Sequence, residues 1–142
     1  MGQRSRYNDR DGLQEEQEER VRRKKWNERF REFVKAVEDQ VTKSDPNNSF
    51  EFDVPYRDLM FQGVPSKSAI QILPTLNCLV ALEDNPPWVL TLDEVEIAYF
   101  ERVQLSLKNF DLVFVYKDFD RPVEKIRSIP RNYLSTIQSY LK

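Results

Sequence analysis

The chain has 142 residues, of which 39% are hydrophobic and 32% charged, with 22 basic against 24 acidic side chains. That is enough apolar material for one folded domain, and the near balance of charge is not that of a DNA-binding protein. Histidine is absent and Cys78 is the one cysteine, which excludes the commonest general base, a thiolate metal site and an internal disulfide. Three glycines form no phosphate-binding motif. We therefore expect a protein that is not an enzyme and holds neither cofactor nor metal.

Residues 1–10 are expected to lie outside the folded part, and residues 11–43 predict a long charged helix. No proline interrupts residues 11–42, and acids precede arginines by four residues, which stabilises an isolated helix. Asp9 or Asp11 is the expected N-cap. The apolar positions at helical spacing are Trp26, Phe30, Phe33, Val34, Val37 and Val41. The basic run at 22–25 is interpreted as a solvated helix surface, with a nuclear-import signal or a nucleic-acid contact as the alternative.

Residues 44–49, SDPNNS, have turn chemistry and no periodicity, so they predict a linker before a domain at 50–142. At the start of that domain Phe50, Phe52 and Val54 alternate with acids, as in a strand. Further strands are predicted near 59–63, 67–73 and 76–83, separated by proline-containing loops.

The closing part, residues 88–142, predicts closely spaced strands followed by one helix. An apolar face is expected from the alternating residues Val95, Ile97, Tyr99, Val103, Leu105 and Leu107, with a bulge or bend at 100–102. The run 110–116 is apolar throughout and predicts a strand covered on both faces. Residues 123–129 predict the last strand, and Pro130 is expected to open a helix with an apolar side. About seven strands and a final helix predict an α+β fold, a pleckstrin-homology-like closed barrel capped by that helix.

Past Asn48 the acids outnumber the bases. Acids expected on wet strand faces or turns are Glu94, Glu96, Glu101, Asp111 and Asp120. Taken alone they are interpreted as ordinary solvated acids, and nothing near them separates the pKa values of a catalytic carboxylate pair. Phe61 and Gln62 lie in a segment that the strand pattern constrains less, which makes them candidates for a binding contact.

A second group of candidates is basic. It gathers near the last strands and consists of Lys117, Arg121, Lys125, Arg127 and Arg131. This group predicts either a patch that meets an acidic surface or a DNA backbone, or a solvated edge that discourages strand pairing.

Three segments carry a resemblance to a known family: YNDRDGLQEEQEER at 7–20, FEFDVPYRDLMFQGVPSKSA at 50–69 and PPWVLTLDEVEIAYFERVQLSLKNFDLVFVYKDF at 86–119. The chain resembles the middle region of the large subunit of FACT, the nucleosome-reorganising histone chaperone. In that family two pleckstrin-homology-like barrels follow one another, and this chain is similar to the second barrel with its lead-in helix.

The resemblance implies a histone-binding module without catalysis. Its implied partners are the core histones, with the tetramer-forming pair favoured over the dimer pair, the nucleosome, and the small FACT subunit through other regions of the protein. The implied location is the nucleus, on the chromosome, in transcription, replication and repair. No membrane and no small-molecule substrate are expected. The acidic candidates, together with Phe61 and Gln62, then become candidates for histone binding.

Two alternatives remain. A phosphoinositide-binding pleckstrin-homology adaptor gathers basic residues in its first hairpin, but residues 56–68 offer only Arg57 and Lys67. The charged helix is alternatively an arm that dimerises with a partner, although its apolar stripe is short and lacks sustained heptads.

Overall fold

The computed structural model describes residues 5–142. The chain divides into two compact units, Met1–Phe52 and Asp53–Lys142. The first unit consists of helix α1 (Ser5–Ser44) and the short segment after it. Of the segment 1–10 that was expected to lie outside the folded part, residues 1–4 lie outside the described residues and residues 5–10 belong to α1. Asp9 and Asp11 therefore lie within the helix and do not cap it.

Helix α1 is stabilised by local contacts. From residue 10 to residue 44 none of its side chains is buried. Arg20 and Glu16 form an ion pair at 2.8 Å, and Arg23 and Glu19 form one at 2.7 Å. Both pairs have the predicted spacing of four residues. The aromatic side chains of the predicted apolar stripe are more than half exposed, at 55% for Trp26, 60% for Phe30 and 61% for Phe33.

The segment after α1 turns back along the end of the helix. The backbone N–H of Asn47 donates to the Asp45 carboxylate, which makes a turn. The backbone N–H of Phe52 donates to Glu38 Oε1 at 3.1 Å, and the Phe50 and Phe52 rings meet edge to face at 5.1 Å. The strand predicted from the alternation at 50–54 is therefore wrong, because these aromatic rings contact each other and do not cover a sheet.

The second unit contains seven strands and one helix. The strands are β1 (Phe61–Gly63), β2 (Ile70–Pro74), β3 (Cys78–Ala81), β4 (Trp88–Thr91), β5 (Val95–Glu101), β6 (Asn109–Tyr116) and β7 (Glu124–Pro130), followed by helix α2 (Leu134–Tyr140). They form two antiparallel sheets with the orders β1-β2-β3-β4 and β5-β6-β7. The predicted α+β class, number of strands and final helix are confirmed.

The predicted closed barrel is wrong in one respect, because only one of its two seams is paired. Val64 and Arg127 bridge the end of β1 to β7, exchanging backbone hydrogen bonds of 2.8 Å and 3.0 Å. At the other seam the 3-10 turn Leu92–Glu94 separates β4 from β5, and within residues 5–142 these two strands do not pair. The unit is a partly open barrel.

The core lies between the two sheets and under α2. Strand β6 is buried along almost its whole length, as predicted for a strand covered on both faces. Helix α2 contributes Ile137, which is 2% exposed, and its Tyr140 hydroxyl donates to the Thr75 carbonyl at 2.7 Å. The predicted apolar side of the last helix is confirmed as a cover for the core. Its start differs, since Pro130 ends β7 and the 3-10 turn Arg131–Tyr133 precedes α2.

Strand β5 departs from the predicted alternation. A β-bulge between Val95 and Ile97 shifts the register by one residue, so Ile97 and Tyr99 are exposed at 55% and 41%. Ala98 and Phe100 pack against the core in their place. A shift of one residue moves every later side chain to the opposite face of a sheet. The expectation that Ile97 and Tyr99 belong to the apolar inner face is therefore wrong.

The second half of the predicted alternation, residues 103–107, is a loop and not a strand. Strand β5 ends at Glu101, and Arg102 has a φ of +58°, a left-handed conformation that interrupts an extended chain. Val103, Leu105 and Leu107 are consequently exposed, with Leu105 at 92%.

Candidate functional site

Three of the predicted acidic candidates lie along one strand. Glu94 is the last residue of the 3-10 turn before β5, and Glu96 and Glu101 lie within β5. Glu94 and Glu96 are exposed and Glu101 is half-buried. The three acids are thus spread along the edge strand of the β5-β6-β7 sheet, from the turn before it to its last residue, and no base lies in β5 itself.

Two of the predicted bases pair with these acids, Arg121 from the turn between β6 and β7 and Lys125 from β7. Arg121 contacts Glu94 at 2.6 Å, and Lys125 contacts Glu101 at 2.6 Å. The Arg121 guanidinium also lies 3.7 Å from the centre of the Tyr116 ring. The sequence predicted an acidic and a basic surface as separate groups. The structure joins them in two ion pairs along the edge strand, Lys125 with Glu101 on the face that Tyr99 shares and Arg121 with Glu94 at the end of the sheet beside Tyr116. We call the residues along this strand the β5 surface: Glu94, Glu96, Ile97, Tyr99, Glu101, Arg121 and Lys125.

Hydrogen bonds within the β5 surface shift the pKa of Glu101, Lys125 and Arg121 toward their charged forms. The hydrogen bond from Lys125 lowers the pKa of Glu101, and the same bond raises the pKa of Lys125. The hydrogen bond to Glu94 raises the pKa of Arg121. Glu96 forms no side-chain hydrogen bond or ion pair with any of the described residues. It is therefore the acid of this surface whose charge is not already balanced.

The other basic candidates are engaged elsewhere or lie apart. Arg127 donates to the Ser66 carbonyl at 3.0 Å, and Arg131 donates to the Gln104 carbonyl at 3.0 Å. Both guanidinium groups thus hold loops in place. Lys117 is exposed directly after β6. The five bases do not form one continuous patch with free charges.

Asp111 does not lie on a wet face, which corrects its prediction as a surface acid. It is 5% exposed, and its two carboxylate oxygens accept from Arg102 Nε at 2.8 Å and Arg102 Nη2 at 2.6 Å. The backbone N–H of Ser128 also donates to it at 2.9 Å. Arg102 and Ser128 are the two residues other than glycine with positive φ among residues 5–142. Asp111 therefore holds two strained backbone positions and is not available to a partner.

The hydrogen bond from Arg102 is the main cause that lowers the pKa of Asp111. Sequence reasoning missed this role, because Arg102 lies nine residues away, beyond a loop. A lone acid in an otherwise apolar strand was the available signal, since a buried carboxylate requires a charged partner.

The remaining candidates, Asp120, Phe61 and Gln62, lie in different surroundings. Asp120 is exposed in the turn between β6 and β7, where its backbone N–H donates to Asp118. Phe61 is 1% exposed and belongs to the core in β1, so its prediction as a contact residue is wrong. Its neighbour Gln62 points to the other side of that strand and is exposed. Because successive side chains of a strand point to opposite faces, only Gln62 of this pair is placed to contact a partner.

Other polar groups tie strands together. Glu124 accepts from Trp88 Nε1 at 2.7 Å and from the Tyr116 hydroxyl at 3.0 Å. Burial, followed by the bond to Glu124, raises the pKa of Tyr116 to about 12. Asp53 accepts from the Thr75 hydroxyl and from the backbone of Leu76 and Asn77, which fixes the turn between β2 and β3. These carboxylates are occupied by structural contacts.

Within residues 5–142 no group of three or more His, Cys, Asp or Glu side chains is placed to hold a metal ion. Among the same residues, none of the helices is long and apolar enough to cross a bilayer. The chemistry that the β5 surface offers is non-covalent contact, through unbalanced negative charge and exposed apolar side chains.

Comparison with protein families gives two matches. Residues 62–142 match the model described as histone chaperone Rttp106-like, middle domain. Residues 1–37 match the model described as FACT complex subunit SPT16 PH-like domain. The first match covers the strands and the last helix, and the second covers most of α1.

Curated relatives agree over nearly the whole chain. FACT complex subunit SPT16 of Dictyostelium discoideum is 49% identical over 137 residues, which is 96% of this chain and 12% of the relative. SPT16 of Eremothecium gossypii is 49% identical over 136 residues, covering 96% of this chain and 13% of the relative. FACT complex subunit spt-16 of Caenorhabditis elegans is 41% identical over 141 residues, covering 99% and 13%. The chain thus spans about an eighth of the length of these relatives.

Proposed function

Because the chain belongs to the Rttp106-like middle-domain family of histone chaperones, we propose that it is a histone-binding module and that its β5 surface contacts the histones. The observation that carries this proposal is the placement of Glu94, Glu96 and Glu101, with exposed Ile97 and Tyr99 between them, along one edge strand. Histones are strongly basic, and acids among apolar side chains provide both long-range attraction and short-range contact.

The mechanism is competitive binding. The protein surface takes the place of DNA contacts on histones that have been displaced, and the histones remain tethered until DNA returns. This exchange requires no nucleotide and no covalent step. The paired acids Glu94 and Glu101 are able to exchange their internal partners for histone lysines or arginines, since these ion pairs are partly solvated and each carries a small net free energy.

The biological setting is proposed from the relatives named FACT complex subunit SPT16. The full protein then acts in the nucleus, on the chromosome, during transcription, replication and repair. Its partners are the nucleosome and the core histones, the tetramer-forming pair more than the dimer pair. The small FACT subunit is held by other regions of the protein.

Binding of the chain to the two histone complexes tests the proposal directly. The labelled histone tetramer and the labelled dimer of the other two core histones are each titrated with the chain at low and at physiological salt. We expect saturable binding that weakens as salt rises, because exposed charges are screened. A chain that binds neither complex at low salt contradicts the proposal.

A charge-reversal pair locates the surface. The double variant Glu94→Lys with Glu96→Lys is expected to lower histone affinity about tenfold, since it replaces attraction by repulsion at two positions. The control is the double variant Asp58→Lys with Glu83→Lys, which makes the same change of net charge at two exposed acids outside β5 and is expected to change affinity about twofold at most. Equal losses in the two variants would show that only net charge matters.

Flotation with phosphoinositide-containing liposomes tests the alternative that the chain is a phosphoinositide-binding adaptor.

A further inference from the structure

The outer edge of β5 is a free strand edge. Strand β5 pairs with β6 on one side, and within residues 5–142 no strand pairs with its other side. The opposite seam of the same unit is closed by the bridge between Val64 and Arg127. The backbone N–H and C=O groups along the outer side of β5 are therefore available to another extended chain.

This edge lacks most of the features that prevent strand addition. Proteins protect edge strands with proline, lysine, short length, bulges or a covering element. Strand β5 has seven residues, VEIAYFE, and contains neither proline nor lysine nor arginine. Its bulge lies at the first end, between Val95 and Ile97, so pairing with β6 is regular from Ile97 to Glu101. Five residues in regular register are enough to template an added strand.

The side chains along the edge determine which chain fits. In strand addition, backbone hydrogen bonds give affinity and the side chains of alternate residues give specificity. Exposed Ile97 and Tyr99 offer apolar contacts, and Glu96 offers an unbalanced negative charge. A peptide with lysine or arginine among small or apolar residues complements this set. Nucleic acid, whose charge has the same sign as these acids, does not.

We propose that the free edge of β5 binds an extended, lysine- and arginine-bearing segment of a histone as an added β-strand. The proposal rests on the proposed histone-binding function and adds the mode of recognition. The segment forms backbone hydrogen bonds to β5, its basic side chains contact Glu96 and, at the two ends of the strand, Glu94 and Glu101, and its apolar side chains lie against Ile97 and Tyr99.

Fluorescence anisotropy with synthetic peptides tests this mode. The probes are labelled peptides from the basic tail of each core histone, and the same peptides with alternate backbone nitrogens methylated. N-methylation removes donors for strand pairing and leaves the side-chain charges unchanged. We expect at least one parent peptide to bind and its methylated form to bind at least about tenfold more weakly. Equal binding of the two forms overturns the proposal, because charge alone then accounts for the affinity.

Matched variants of the protein provide the second arm. Ile97→Lys is expected to weaken the peptide about tenfold, since it places a positive charge on the edge. Leu82→Lys introduces the same residue at a side chain of similar exposure, 59% against 55%, in a turn away from β5, and is expected to change affinity about twofold at most. If Ile97→Lys fails to fold by circular dichroism, Glu96→Lys replaces it, with an expected loss of about threefold.

NMR identifies the bound strand, and binding of the folded histone complexes separates the two proposals. We expect the peptide to shift the backbone amides of 96–101 and to slow their hydrogen exchange. Shifts confined to other strands or loops overturn the edge proposal. If histone complexes bind but Ile97→Lys behaves as Leu82→Lys does, the edge proposal fails and the histone-binding function stands. If the complexes do not bind at all, the function fails.

Discussion

Helix α1 and the β unit, residues 53–142, are stabilised in opposite ways. In α1 the ion pairs join residues four apart, and their side chains remain largely exposed, at 76% for Arg20 and 57% for Glu16. In the β unit the polar contacts join distant segments, such as Trp88 with Glu124 across 36 positions and Tyr140 with Thr75 across 65. Contacts between residues four apart can be predicted from a sequence, whereas contacts between distant segments depend on how the chain packs. The same substitution should therefore have very different effects in the two regions.

Truncation of a large aromatic side chain gives the largest expected difference. Phe114→Ala empties a position that is 0% exposed, and we expect it to lower the free energy of unfolding of the β unit by about 3–5 kcal/mol. Phe33→Ala, in α1, removes a side chain that is 61% exposed, and is expected to change that free energy by less than about 1 kcal/mol.

Urea unfolding measures both variants in a Trp26→Phe background, so that Trp88 alone reports on the β unit. The background change is mild because Trp26 is 55% exposed. A loss for Phe33→Ala as large as that for Phe114→Ala would contradict the contrast, since it would mean that the aromatic stripe of α1 stabilises the β unit.

Asp111 gives the next largest effect. Asp111→Asn keeps the shape but removes the charge that Arg102 pairs with, and we expect a loss of about 2–3 kcal/mol at neutral pH, because a buried hydrogen-bond network is left incomplete. Arg102 then keeps its left-handed backbone conformation with only one of its two acceptors at position 111, because an amide NH2 replaces the other oxygen.

The pH dependence of that loss follows from the lowered pKa of Asp111. Arg102 lowers the pKa of Asp111 below its ordinary 3.8, so the carboxylate stabilises the native state above pH 3.8, and this contribution disappears as pH falls through the lower native value. Urea unfolding at pH 6, 4 and 3 should therefore show wild type and Asp111→Asn converging only in acid. A difference that stays constant from pH 6 to pH 3 would show that the charge of Asp111 is not the cause.

Gly12 and Gly63 sharpen the comparison because alanine should have opposite effects at them. A Cβ at Gly63 would lie 2.5 Å from Ile126 Cγ2 and 3.2 Å from Ile129 Cγ1, so Gly63→Ala is expected to cost about 1–3 kcal/mol of β-unit stability. At Gly12 a Cβ meets nothing within 4 Å, so Gly12→Ala should favour the helix by about 0.5–1 kcal/mol.

Two measurements separate these effects. Urea unfolding of the β unit reports on Gly63→Ala, and the circular dichroism signal at 222 nm reports on Gly12→Ala. Leucine at position 126 lacks the Cγ2 atom, so Gly63→Ala combined with Ile126→Leu should cost less than the sum of the two single changes. Additive losses would show that the overlap with Ile126 is not what makes Gly63 necessary.

The same contrast explains what could be predicted from the sequence. The existence of helix α1, the burial of strand β6 and the apolar side of α2 all depend on local spacing in the sequence, and the structure confirms these three predictions. The inner and outer faces of β5 were predicted wrongly, because one bulged residue reverses the alternation and no residue type marks it. Asp111 and Phe61 were also misplaced, because the burial of both side chains depends on how the chain packs around them.

The β5 surface could be predicted only in part. Glu94, Glu96 and Glu101 were found as acids of a strand, and Arg121 and Lys125 as bases of another segment. Their pairing required the register of three strands, in which Val113 lies opposite both Tyr99 and Lys125. Ile97 and Tyr99 give the surface its apolar part. Their exposure could not be predicted, because the same bulge changes the face on which they lie. Long-range register is what the sequence alone does not contain.

The smallest expected effect concerns the ion pairs of α1. Glu16 pairs with Arg20 at 2.8 Å, whereas Glu18 and Arg22 have the same spacing and form no such pair in the described part of the chain. Glu16→Gln should lower the helical circular dichroism signal slightly more than Glu18→Gln does at low salt, and the difference should vanish at about 1 M salt, where exposed charges are screened within roughly 3 Å. A difference that persists at high salt would contradict an electrostatic origin. Both acids lie in the same half of α1, so their interaction with the helix dipole is matched and the comparison isolates the pair itself.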